Sequence, residues 1–136
     1  MNNYIQIYKN AISDEYCDEL INKFEIESNK ETYDQGPMSF TQVNLNKNKW
    51  QGDIERLSSV FTKYLQQYKN DCVITSQMWP EKYAFEEIRL KKYLANGKDR
   101  FDPHVDSISL ESAKRFLVFF IYLDNNKRGE TNFPQL

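Results

Sequence analysis

Histidine is nearly missing from this sequence: His104 is the only one in 136 residues, and Cys17 and Cys72 are the only cysteines. That excludes a zinc-finger ligand set, which gathers four thiolates or imidazoles around one ion. Two cysteines allow one disulfide at most, and free, buried thiols in a reducing compartment are the expected state. No internal repeat, low-complexity stretch or linker is present, so no domain boundary is warranted. Charge of one sign is lacking too. The 18 basic and 20 acidic residues nearly cancel to −2, so the basic face expected of a nucleic-acid binder is not written here. Long apolar runs are absent. The longest, residues 116–123, is far too short to span a bilayer, and residues 1–9 lack the basic and apolar regions of a secretory leader. A soluble protein, cytoplasmic or otherwise intracellular and without a membrane partner, is therefore expected.

What is present suits a packed domain. A hydrophobic fraction of 40% and an aromatic fraction of 15% supply a core, and the length fits a single domain over residues 1–136. Tyr4, Ile5, Ile7 and Tyr8 predict a short strand over residues 4–8. Ser13, followed by Asp14 and Glu15, caps a helix over residues 14–27, whose Tyr16, Cys17, Leu20, Ile21 and Phe24 share one face. Residues 28–49 are polar, broken at Gly36-Pro37, with one strand at residues 39–45. Ile54, Leu57, Phe61, Leu65 and Tyr68 predict a second helix over residues 51–69. From Glu86 the period falls to two. Ile88 and Leu90 alternate with Glu87, Arg89 and Lys91 in a half-buried strand that runs on to Tyr93 and Leu94. Asn96-Gly97 marks a turn, and residues 101–107 read as extended, with Pro103 holding Asp102 out of the helical region. Residues 116–123 predict a strand covered on both faces, residues 124–129 a loop, and residues 131–133 the start of another strand. Helices come first and strands later, which is an α+β order.

His104 and Asp106 stand two apart in that extended stretch. With a period of two their side chains leave the same face, their alpha carbons roughly 6–7 Å apart. An imidazole nitrogen and a carboxylate oxygen on one face are two-thirds of the 2-His-1-carboxylate set that suits Fe(II) and leaves positions open for other ligands. Alone, the pair also reads as a surface histidine beside an aspartate.

Around the pair other segments occur in a fixed order. Arg89-Leu-Lys-Lys-Tyr93, Asn96-Gly97, Phe101-Asp-Pro-His-Val-Asp106, Arg115-Phe-Leu-Val-Phe-Phe-Ile-Tyr-Leu123 and Gly129-Glu-Thr-Asn-Phe-Pro134 follow one another. Together with Asn10-Ala-Ile-Ser-Asp-Glu-Tyr-Cys17, that order resembles the prolyl 4-hydroxylase-like branch of the Fe(II)/2-oxoglutarate dioxygenases. The resemblance covers most of the chain and is strongest over residues 86–134. It implies a double-stranded β-helix, or jelly-roll, with N-terminal flanking helices. It implies His104 and Asp106 as Fe(II) ligands, and Tyr93 and Thr131 as residues beside the 2-oxoglutarate cosubstrate. Left to themselves, Tyr93 reads as a core or rim aromatic and Thr131 as a plain strand residue. Arg128 stands where the family usually has a glycine, and the turn between Tyr93 and His104 is longer than usual. The implied reaction is hydroxylation of a peptide or small-molecule substrate, coupled to decarboxylation of 2-oxoglutarate to succinate, with ascorbate as accessory reductant.

The family's distal histidine and the basic residue that follows it have no counterpart, because His104 is the only histidine. The chain therefore reads as a truncated dioxygenase domain lacking its C-terminal strands, with a partial jelly-roll and two of three ligands. A complementing C-terminal segment or second chain is the partner this implies. Two alternatives stay open: a non-catalytic remnant, and a jelly-roll binding module in which His104 and Asp106 are ordinary polar residues. The identity of the substrate is not written in the sequence.

Overall fold

Ser13 opens the first helix. In the computed structural model, which describes residues 4–133, its hydroxyl accepts the Tyr16 N–H at 3.3 Å and satisfies a donor that a helix start leaves free. Helix α1, Asp14–Ile26, buries Tyr16, Leu20 and Phe24, one side chain per turn. Helix α2, Gln51–Asp71, buries Leu57, Leu65 and Tyr68, with Ile54 and Phe61 half-buried beside them. Both helices lie within two residues of the bounds read from apolar spacing. A buried carboxylate joins them. Asp53 accepts the Tyr16 hydroxyl at 3.1 Å and the Lys23 ammonium, from a first-turn position that suits an anion.

The sheet grows from a hairpin. Strands β1, Glu31–Gln35, and β2, Met38–Asn44, pair antiparallel around Gly36 and Pro37. Gly36 sits at φ 51°, which only glycine takes without strain at the first position of such a turn. Strands β3, Arg89–Lys92, and β4, Arg100–Phe101, both pair antiparallel with the other edge of β2. Lys92 faces Thr41 and Arg100 faces Ser39, so residues 93–99 loop out against Phe40 alone. Asp99 holds that loop, accepting the Leu94 N–H at 2.8 Å, the Ser39 hydroxyl at 3.0 Å and the Asn96 amide at 3.1 Å.

The two faces of the sheet differ. Val43 and Leu90 are paired and pack with Leu45, Trp50, Leu57 and the α1 residues into the core. The neighbouring Lys92 reaches Glu25 of α1 at 2.5 Å. That face is closed by the helices. The opposite face carries the pairs Tyr33–Phe40, Gln42–Lys91 and Met38–Phe101, and no helix covers it among the described residues.

The architecture is α+β: two helices on one side of an open, four-stranded antiparallel sheet. A second sheet facing the first is not formed among the described residues. The hairpin lies between the helices, so the order is not helices first and strands later. Strand β1 escaped the sequence reading because its five residues are polar and mostly exposed, with no apolar alternation; pairing with β2 makes it a strand. Residues 4–8 form no strand. They lie along α2, where Tyr8 packs on Tyr64 at 5.0 Å and the Tyr4 carbonyl accepts the Tyr68 hydroxyl.

Residues 116–123 are likewise unpaired, and the expected cover on both faces is present on one. Leu117, Phe119, Ile121 and Leu123 are half-buried, whereas Phe116, Val118, Phe120 and Tyr122 are exposed. Phe119 meets Phe61 at 5.6 Å, and Ile121 and Leu123 join the core, while no backbone ladder engages the run. The extended stretch at residues 101–107 is a strand only at Arg100–Phe101. It ends where the Asp102 N–H meets the Pro37 carbonyl at 2.8 Å, since Pro103 has no N–H to continue the ladder. Residues 131–133 form no strand either, because the Thr131 N–H is taken by the Tyr122 phenol; Pro134 lies outside the described residues. Cys17 and Cys72 are free thiols. No helix among the described residues is long and apolar enough to cross a membrane.

Candidate metal centre

His104 is placed by the end of the sheet. Strand β4 is fixed against Met38, and Pro103 then turns the chain so that the imidazole lies flat on Phe101, with centroids 3.7 Å apart and planes 13° apart. Its Nδ1 is 2.7 Å from the Asp102 carbonyl oxygen. A carbonyl only accepts, so Nδ1 carries a proton, and the tautomer this selects has its lone pair on Nε2. That nitrogen faces Asp106 Oδ1 at 3.4 Å. An imidazole nitrogen and a carboxylate oxygen at this separation can share a cation or a proton.

Asp106 is tethered from behind. Arg115 donates through Nη1 to the Asp106 carbonyl at 3.0 Å and through Nε to Glu86 at 2.7 Å. That guanidinium holds the Glu86 carboxyl below its ordinary pKa. On the C-terminal side the buried Ser112 hydroxyl accepts the Ile108 and Ser109 N–H groups and closes the loop that follows Asp106. The motif is thus anchored at Pro37, Glu86 and Ser112, while both functional side chains stay partly open to solvent.

An aromatic platform joins this pair to Tyr93. Phe40 lies 5.8 Å from Phe101 on one side and 5.4 Å from Tyr93 on the other. The Lys91 ammonium sits over both Phe40 and Phe101, 4.4 and 5.0 Å from their centroids. Its pKa is lowered, chiefly by desolvation and then by Arg89, with Asp106 opposing. Burial, then Asp99 and Tyr122, push the Tyr93 phenol up. The Thr131 hydroxyl meets that of Tyr122, and Tyr122 in turn acts electrostatically on the Tyr93 phenol.

The donors fit part of a metal site. Cis ligands of an octahedral ion with bonds of about 2.1 Å stand about 3 Å apart, close to the separation of Nε2 and Oδ1. The hydrogen bond on Nδ1 is the usual support of a ligating imidazole. No group of three histidine, cysteine or acidic side chains is placed to hold a metal among the described residues, so a third protein donor is not at hand. Comparison with family models, with curated proteins and with solved structures finds no match to this chain.

Three residues of the site escaped the sequence reading. Phe101, which carries the imidazole, read as the start of an extended stretch. Lys91 read as one of several polar residues on an alternating strand, and Arg115 stood at the head of one of the ordered segments with no role of its own. The alternation did place Lys91 opposite the core-facing Leu90, but the sequence does not say that this open face is where His104 arrives.

Proposed function

We propose that this chain carries one wall of an Fe(II)/2-oxoglutarate-dependent dioxygenase site of the prolyl 4-hydroxylase-like type. The observation that supports this best is the facing of His104 Nε2 and Asp106 Oδ1 at 3.4 Å, with Nδ1 held by a backbone carbonyl. In this reading the sheet is one side of a jelly-roll, with the helices outside and the aromatic platform inside. His104 and Asp106 would hold Fe(II), and a histidine from a further segment or a second chain would complete the ligand set. Bound there with a 2-oxo acid, the metal supplies dioxygen activation for hydroxylating a peptide or small molecule, with ascorbate keeping the iron reduced. The chain's own part is to orient the imidazole through the Asp102 carbonyl, hold Asp106 through Arg115, and offer the Tyr93 hydroxyl to the cosubstrate.

The lack of a third donor among the described residues favours a second reading, a non-catalytic module in which a proton bridges His104 and Asp106 and the open aromatic face binds a partner. Succinate formation from 2-oxoglutarate separates the two. With Fe(II), ascorbate and air, the chain should give little succinate alone and more when free imidazole stands in for the missing ligand. His104→Ala and Asp106→Ala should abolish the increase. If imidazole has no effect, or if both variants respond as the wild type does, the non-catalytic module is the better account.

A further inference from the structure

The Asn96-Gly97 turn lies in the 93–99 loop, apart from the metal corner, and it places a reactive pair of residues in a supporting geometry. Asn96 Oδ1 accepts two backbone N–H groups, from Lys98 at 2.9 Å and from Asp99 at 2.8 Å. Two fixed donors on one carbonyl oxygen draw charge from the amide carbon and match an oxyanion developing there. Gly97 sits at φ 73° with open space where a side chain would start, so its backbone nitrogen can approach Asn96 Cγ with no Cβ in the way. The Gly97 N–H has no hydrogen-bond partner among the described residues, so no bond is broken to free that nitrogen. Both residues are exposed, and water reaches them. A polarised amide with an unengaged nitrogen held beside it, in reach of water, has the components of an intramolecular acyl transfer.

We propose that Asn96 is a self-modifying site, where the folded loop speeds conversion of the asparagine to aspartate and isoaspartate and so releases itself. The Gly97 nitrogen gives its proton to a solvent base and bonds to Asn96 Cγ, while Oδ1 takes up the developing charge between its two N–H donors. The Cγ–Nδ2 bond then breaks, and the departing nitrogen takes a proton from water and leaves as ammonia. Water opens the resulting succinimide at either carbonyl, giving aspartate or isoaspartate. Either product changes what holds the loop. Asn96 Nδ2 donates to Asp99 Oδ1 at 3.1 Å, and a carboxylate oxygen in that position meets the Asp99 carboxylate as a like charge. The neighbouring Lys98 is already paired with Asp34 at 2.6 Å and offsets that repulsion only in part. Isoaspartate also adds a carbon to the backbone within the turn. Asp99 ties the loop to Leu94 and Ser39, so its displacement frees the segment that begins at Tyr93, beside Phe40.

The experiment incubates the full chain at neutral pH, folded in one sample and unfolded in guanidinium chloride in the other. The tryptic peptide 93–98 is followed by mass and by separation of its aspartyl and isoaspartyl forms. Conversion at Asn96 should be about 10-fold or more faster in the folded chain, a fraction of what fixed oxyanion donors contribute in enzymes. An equal or slower rate in the folded chain means that the two N–H donors merely lock the side chain, and it overturns the proposal. Asn96→Asp, the aspartyl product made directly, should lower the melting temperature at neutral pH. Asn96→Ser keeps an acceptor in the turn but cannot form the ring, so it should stay unconverted at this position and melt close to the wild type. If Asn96→Asp melts with the wild type, or if both variants fall equally, the new carboxylate is not what releases the loop and the proposal fails.

Discussion

Above the ordinary aspartate range, the Asp99 carboxylate holds the 93–99 loop through Leu94, Asn96 and Ser39, and the Leu94 N–H contributes most to lowering its pKa below 3.8. A carboxyl whose pKa is depressed on folding contributes stability that is present above the unfolded value and is lost as pH falls through the folded one. Asp99→Ala should therefore lower the melting temperature by a constant amount from about pH 5 to pH 8. The gap to wild type should close only as the pH drops below 3.8. A gap that persists unchanged in acid would mean the carboxylate is not what holds the loop. At this scale the sequence was partly readable. His104 and Asp106 stand out by a strand spacing, yet both lie past the end of β4, so their approach to 3.4 Å is set by the loop and its anchors rather than by a strand's period. Those anchors do not stand out. Arg115 and Glu86 are 29 positions apart, and nothing local pairs them.

Element by element, the helices were legible because their burial repeats at steps of three and four, and α2 shows how firmly that pattern overrides local chemistry. Val73, just past its end, sits at φ 54°, a left-handed conformation that a β-branched residue takes only under strain. The Ile74 N–H returns to the Lys69 carbonyl at 2.8 Å, the closure that normally ends on glycine. Val73 is 70% exposed, so little packing is at stake. Val73→Gly should stabilise the protein by about 1 kcal/mol, read as a rise in the urea midpoint at unchanged m value; a fall would mean that the valine side chain packs usefully. Residues 116–123 make the opposite point. Eight apolar residues in a row conceal which face is buried, and only the packing of Ile121 and Leu123 on the core decides it. Ile121→Ala should cost about 1–2 kcal/mol, below the range for fully buried truncations because the site is half-buried. Phe120→Lys, at 65% exposed, should leave the melting temperature alone and reduce self-association in light scattering, since an unpaired apolar strand edge promotes it. Equal effects of the two substitutions on stability would overturn the face assignment.

For the whole molecule, the α+β class followed from the change of apolar period at Glu86, but the topology did not. Strand β1 is polar, and β4 is two residues long, so each exists only through pairing with β2. That arrangement leaves one sheet face covered by helices and the other open, with Lys91, Tyr93, Phe101 and His104 all on the open side. The central claim is that His104 and Asp106 form a metal corner on that face. Electron paramagnetic resonance of free Mn(II) during titration with the chain tests it without requiring turnover. One Mn(II) should be taken up per chain, more tightly when 2-oxoglutarate is present. Either His104→Ala or Asp106→Ala should weaken uptake by about 10-fold or more, since even supporting contacts of a metal site carry that much, with melting temperatures unchanged. Uptake that is identical in His104→Ala, or absent in the wild type with 2-oxoglutarate present, would contradict the account.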